Sequence, residues 1–117
     1  MDAFQILEGD CLEKAKTFED NSIDLIYLDP PFFTQKDQKL SPRDRSKEYS
    51  FNDVWKSTDE YGQFLFDRVK EFYRVLNSKG SIFFHCDKNA SHLARYILEE
   101  VFGKENFQSE NIWFYKR

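Results

Sequence analysis

The chain has 117 residues, 40% of them hydrophobic and 32% charged, with a net charge of −4; this supports one domain around one core and excludes wholesale disorder. No apolar run approaches the roughly 20 residues that span a bilayer, and the start MDAFQILEGD lacks the parts of a secretory signal, so a cytoplasmic protein without membrane contact is expected. Cys11 and Cys86 are too few for a disulfide framework and form no C-x-x-C pair, so they read as reduced packing thiols.

In chain order, Phe4 to Leu7 has the pattern of a short strand, stopped by Gly9 and followed by Asp10, a residue suited to cap a helix over 11–18. Residues 23–28, IDLIYL, form a nearly continuous apolar run of the kind found in a parallel strand buried on both faces, with Tyr27 and Leu28 in the core. That strand must end at Asp29, because Pro30 and Pro31 cannot donate to a ladder. Residues 33–57 follow neither a helical nor a strand period, which predicts a long mobile loop. Its stretch from Thr34 to Lys47 holds five basic residues (Lys36, Lys39, Arg43, Arg45, Lys47) against two acidic ones, net +3, leaving −7 for the rest of the chain. Phe51 and Trp55 are candidate anchors for docking this loop.

Ser57 and Glu60 have capping-box spacing, and Tyr61, Phe64, Leu65, Val69, Phe72, Tyr73 and Leu76 recur at three and four, predicting a helix that stops before Gly80. Residues 81–86 read as a second buried strand. Residues 89–102 read as a helix with Leu93, Tyr96, Ile97 and Val101 on one face and Gly103 as its stop, and residues 111–115 as a last strand with Trp113 in the core. The order β-α-β-loop-α-β-α-β predicts a mostly parallel α/β sheet with helices on both faces. In such sheets ligands gather beyond the carboxyl ends of the strands, where Asp29 to Phe32 falls.

Asp-Pro-Pro by itself is an ordinary turn, and a lone Phe is more often core than platform. The information lies in the conjunction of a buried strand, an acid, two prolines, an aromatic and then a basic segment. An exocyclic base amine is a poor nucleophile because its lone pair is delocalised into the ring. The Asp29 carboxylate and the Pro30 carbonyl can accept its two hydrogens and favour a pyramidal nitrogen, while Pro30 and Pro31 hold φ near −65° beforehand. Phe32 then offers a face for an unstacked base. His85, Cys86, Asp87 and His92 have no zinc spacing, no metal site is expected, and His85 reads as a pocket wall or strand end.

The stretch GDCLEKAKTFEDNSIDLIYLDPPFFTQ closely resembles the amino-terminal part of S-adenosylmethionine-dependent DNA amino-methyltransferases, which modify adenine N6 or cytosine N4 in restriction-modification systems or as solitary enzymes. YGQFLFDRVKEFYRVLNSKGSIFFHCD resembles the helix and strand that follow in that family, and ENIWFYKR the strand preceding its target-recognition region. The resemblance implies a Rossmann-like fold, S-adenosylmethionine as cofactor, double-stranded DNA as partner and Asp29, Pro30, Pro31 and Phe32 as the catalytic motif. Asp10 matches a cofactor-binding position, with Asp29 beside it. The basic residues after DPPF fall where family members cover DNA, so they are candidates for phosphate contact. Asp in the first motif position favours adenine N6. Cytosine N4, an RNA base, a protein amide, or a silent binding module are the alternatives.

The family's F-x-G-x-G signature cannot lie in this chain, whose glycines are only Gly9, Gly62, Gly80 and Gly103. Residues 1–117 therefore read as the catalytic-motif part of a longer enzyme, a truncated gene or one piece of a split protein. Alone it is expected to be nearly inactive and prone to self-association through exposed sheet edges; a cognate restriction enzyme is a possible partner of the whole.

Overall fold

The computed structural model describes residues 3–33 and 57–116, and the backbone of 37–40 and 49–52. Helix α1 (Cys11–Ala15) starts where Asp10, in extended conformation, accepts the Leu12 amide on its side chain at 2.9 Å. Gly9, at φ +136°, makes the turn before it. The predicted continuation to Phe18 is not helical: the amides of Thr17 and Phe18 bond to the carbonyls of Lys14 and Ala15, tightening the last turn. Asn21, in the left-handed region at φ 57°, then donates its amide to the Arg74 carbonyl and turns the chain into strand β1 (Ile23–Leu28).

Strand β1 pairs in parallel with β4 (Leu76–Phe84), Leu25 opposite Ser81 through Leu28 opposite Phe84, with a register irregularity between Ile23 and Leu25. Between them runs helix α2 (Thr58–Val75), capped by the Ser57 hydroxyl, which accepts the Glu60 amide at 3.1 Å as the capping box requires. Its buried residues, Tyr61, Leu65, Val69, Phe72 and Val75, repeat every three or four positions. Two members of the expected stripe depart from it. Tyr73 is 55% exposed and meets Phe102 edge-on at 5.2 Å, and Leu76 already belongs to β4, five residues before the expected strand start. Helix α3 (Ser91–Phe102) packs on α2 and ends at Gly103, whose φ of +94° needs glycine; a 3-10 turn over Lys104–Asn106 follows. Ala94 and Ile97 carry its contact, whereas Tyr96 is exposed because it lies off the α2-facing side. The core joins Tyr61, Leu65 and Val69 of α2 to Ala90 and Ile97, with Phe33 and Phe84 packed against them.

Several expectations are corrected by this arrangement. Residues 4–7 and 111–115 are not strands: Phe4, Ile6, Ile112, Trp113 and Phe114 are all more than 75% exposed, so Trp113 is not core. A strand needs a neighbouring ladder to satisfy its amides and carbonyls, and among the described residues neither segment has one. Among the described residues, helices cover one face of β1 and β4, not the two expected. The other face shows Leu25, Tyr27 and Phe83, each more than half exposed, and Tyr27 is therefore not core either. The span 33–57 is not wholly irregular, since β2 (Asp37–Leu40) and β3 (Tyr49–Asn52) pair as an antiparallel hairpin. The result is an α/β unit whose central pair is parallel, consistent with part of a methyltransferase fold. No helix among the described residues is long and apolar enough to cross a membrane.

Candidate active site

The β1–β4 ladder continues one step past its last strand residues, the His85 amide donating to the Leu28 carbonyl at 2.9 Å. The chain then leaves the sheet as Asp29-Pro30-Pro31-Phe32. Asp29 is exposed and the next three residues half-buried, so the carboxylate stands at the rim while the prolines are seated. The Pro31 carbonyl accepts a 2.8 Å bond from the hydroxyl of Tyr61, a residue with no exposed surface. The Tyr61 ring also lies 5.1 Å from that of Phe33. Phe32 turns to the neighbouring strand end, its ring centre 5.5 Å from that of His85. Of the two expectations for His85, a pocket wall or a strand end, the second is what it is: it directly follows β4 and extends the ladder by one bond.

A cavity of about 470 Å³ opens in front of this corner, within the range of small-ligand sites. Gly9 and Asp10 line one side, Asp29, Pro30 and Pro31 another, and Phe64, Leu65 and Arg68 of α2 the base. Asp10 and Asp29, 19 positions apart in sequence, therefore share one space. Arg68 was not foreseen. Its guanidinium donates to both carboxylate oxygens of Asp10, at 3.0 and 2.8 Å, and to the Phe64 carbonyl at 3.1 Å, with its carbon 3.6 Å from the Phe64 ring centre. A charge inside an apolar stripe, four residues from Phe64 and seven from Tyr61, is the signal in the sequence that marks it.

Asp10 thus has two functions in the fold: it caps α1 and accepts from Nη2 of Arg68 on both carboxylate oxygens. Deeper at the β4 end, burial and the nearby charges of Asp87 and Glu110 push the Cys86 thiol up, keeping it protonated and unsuited to nucleophilic work. One Asp87 oxygen is buried with no partner among the described residues, while the other accepts the Asn89 amide at 3.2 Å. Among the described residues no group of three or more His, Cys, Asp or Glu side chains could hold a metal ion.

The basic residues Lys36, Arg43, Arg45 and Lys47, and the anchor candidate Trp55, lie outside the described residues. Lys39 is on β2 and Phe51 on β3, known there by backbone alone. The structure therefore brings together Asp10, Asp29, Pro30 and Pro31, places Phe32 next to them against His85, and is silent on the basic segment.

Comparison with known proteins gives a consistent picture. The sequence model of the N6/N4 group described as DNA methylase matches residues 23–117. The type II methyltransferase M.HinfI of Haemophilus influenzae is 44% identical over 99 residues, covering 82% of this chain and 28% of that protein. The type II methyltransferase M2.MboI of Moraxella bovis is 25% identical over 111 residues, covering 93% of this chain and 39% of that protein. The StyLTI Mod subunit, a type III restriction-modification enzyme of Salmonella typhimurium, is 27% identical over 131 residues, covering 95% and 20%. The chain thus spans well under half the length of each of these relatives.

Proposed function

Because the chain belongs to the N6/N4 DNA methylase family, we propose that Asp29-Pro30-Pro31-Phe32 forms the catalytic corner of a DNA amino-methyltransferase that modifies adenine N6. The observation that carries this reading is the corner itself: an exposed carboxylate, two seated prolines and an aromatic ring, set at the carboxyl end of a parallel strand and beside a cavity. S-adenosylmethionine, when bound, supplies an electrophilic methyl group. The cavity's residues fit part of such a cofactor, since 470 Å³ lined by Phe64, Leu65 and the Asp29 carboxylate offers apolar contact and an acceptor for a cationic, hydroxyl-bearing molecule, while Asp10, already neutralised by Arg68, can offer a remaining lone pair to a hydroxyl. On this reading the remainder of the cofactor site is contributed by residues other than these 117.

The chain's own groups then act as follows. Asp29 accepts one hydrogen of the base amine and the Pro30 carbonyl the other, so the nitrogen lone pair is freed from the ring and aimed at the electrophile. As the nitrogen gains its methyl group it loses a proton, and the Asp29 carboxylate is the acceptor nearest to hand. Phe32 holds the extruded base by stacking, a contact worth roughly 1–3 kcal/mol. Lys36, Lys39, Arg43, Arg45 and Lys47 are proposed to contact DNA phosphates, which positions the duplex without reading its sequence. The names of the relatives, type II methyltransferases and a restriction-modification subunit, support a role in restriction-modification alongside a nuclease.

The test is Asp29→Ala in the intact protein that carries this sequence, assayed by transfer of labelled methyl groups to DNA. Activity should fall by at least about 100-fold, the usual scale for losing a positioned acid-base group. Transfer within twofold of the starting protein would reject the assignment.

A further inference from the structure

Two consecutive prolines constrain more of the corner than their own φ angles, and they leave one torsion undetermined. Pro30 and Pro31 hold their φ near −65°, and each restricts ψ of the residue before it, so ψ of Asp29 and of Pro30 is confined to extended values. Pro31 is followed by Phe32, not by a third proline, so its ψ is free of that restriction. This angle sets the plane of the Pro31–Phe32 peptide and hence the direction in which the Phe32 ring projects. Prolines also have no amide hydrogen, so the corner cannot be pinned by donating from residues 30 and 31; it can be held only through its carbonyls. The Pro31 carbonyl is held by the buried Tyr61 hydroxyl at 2.8 Å, with the Phe33 ring against Tyr61.

We propose that Tyr61 is a positioning residue for catalysis: its hydroxyl fixes ψ of Pro31, the backbone angle that the two prolines leave soft, and so helps to place Phe32 to stack on the extruded base. This rests on the reading of DPPF as the base-amine site. Tyr61 does not touch the reacting atoms. It acts through the backbone, from the first turn of a helix whose N-terminus is itself fixed by the Ser57 cap. Loss of the hydroxyl lets Phe32 sample other directions, so the flipped base is held for less of the time, while DNA affinity, which comes mainly from phosphate contacts elsewhere, stays unchanged.

The experiment uses the intact protein with two DNAs: one with 2-aminopurine at the target base, whose fluorescence rises when it unstacks, and one with adenine there, on which kcat is read because 2-aminopurine has no N6 amine to accept a methyl group. Tyr61→Phe should lower the fluorescence amplitude and kcat about three- to tenfold, the scale of one neutral hydrogen bond, with KM for DNA within twofold. In a Phe32→Ala background the same substitution should change neither by more than twofold, because the residue through which Tyr61 acts is gone. Equal losses in both backgrounds, or a Tyr61→Phe enzyme with unaltered kcat and amplitude, would overturn the proposal. Should Tyr61→Phe fail to fold, Phe33→Leu takes its place: it unseats the ring, keeps the hydroxyl, and should show the same dependence on Phe32. Its losing equally in both backgrounds would again overturn the proposal. The Asp29→Ala control separates the two levels. If it keeps full activity the DPPF reading itself fails, whereas an inactive Asp29→Ala beside an unaltered Tyr61→Phe removes only the role of Tyr61.

Discussion

At the residue scale, the site divides into groups whose chemistry is visible in one dimension and groups whose role needs a third. Asp29, Pro30 and Phe32 could be picked out because rigidity, acceptor and aromatic face are intrinsic to those residue types in that order. Asp10 was legible as a cap, and the structure confirms that bond while adding a second one to Arg68. Arg68 is marked in the sequence only as a charge inside an apolar stripe; its partner is not legible there, because only the chain reversal at Asn21 and the return through α2 bring it 58 positions back to Asp10. The Arg68 side chain is 14% exposed and that of Asp10 49%, so their bond is partly shielded from solvent. Arg68→Ala should therefore destabilise the protein by about 1–2 kcal/mol, above the usual value for a surface pair, as a lowered chemical-denaturation midpoint would show. Arg68→Lys should recover less than half of that, since an ammonium cannot donate to Asp10 and to the Phe64 carbonyl at once while a flat guanidinium plane lies on the Phe64 ring.

At the scale of elements, periodicity identified α2, α3 and β1 because each contains its own signal, a repeat of 3.6 residues or an apolar run closed by proline. The edge segments 4–7 and 111–115 have strand-like composition and no strand, since β structure depends on a partner that composition does not encode. The start of β4 was missed for a related reason. Leu76 completes the helical repeat, yet the chain turns extended there, with the Leu76 amide still bonded to the Phe72 carbonyl of the helix end. Gly80 makes this junction possible. A side-chain carbon at position 80 would lie 2.9 Å from the Asp24 carbonyl oxygen of β1 and 2.5 Å from a Leu76 methyl group. The leucine can move aside, but the strand backbone cannot without opening the ladder. Gly80→Ala should cost about 1–3 kcal/mol, measured as a lower unfolding midpoint; a cost below 0.5 kcal/mol would show that β1 and β4 separate freely at that point.

For the molecule as a whole, the distribution of apolar surface is uneven. The face formed by α2 and α3 is packed, while Leu25, Tyr27 and Phe83 stand in a row on the opposite face of β1 and β4. This many large apolar side chains on a sheet of two strands favours association. The 117-residue polypeptide on its own should sediment as species that grow with concentration, and, if the cavity is the partial cofactor site proposed above, should transfer little methyl to DNA. A monodisperse monomer across a 100-fold concentration range would contradict the first expectation.

The central claim is that Asp29 and its prolines form a site for the amine of adenine. Its most direct test is mass spectrometry of nucleosides from the DNA of cells expressing either the intact protein or its Asp29→Ala variant. The account predicts N6-methyladenine with the former and background with the latter. N4-methylcytosine in its place, or N6-methyladenine undiminished by Asp29→Ala, would contradict it.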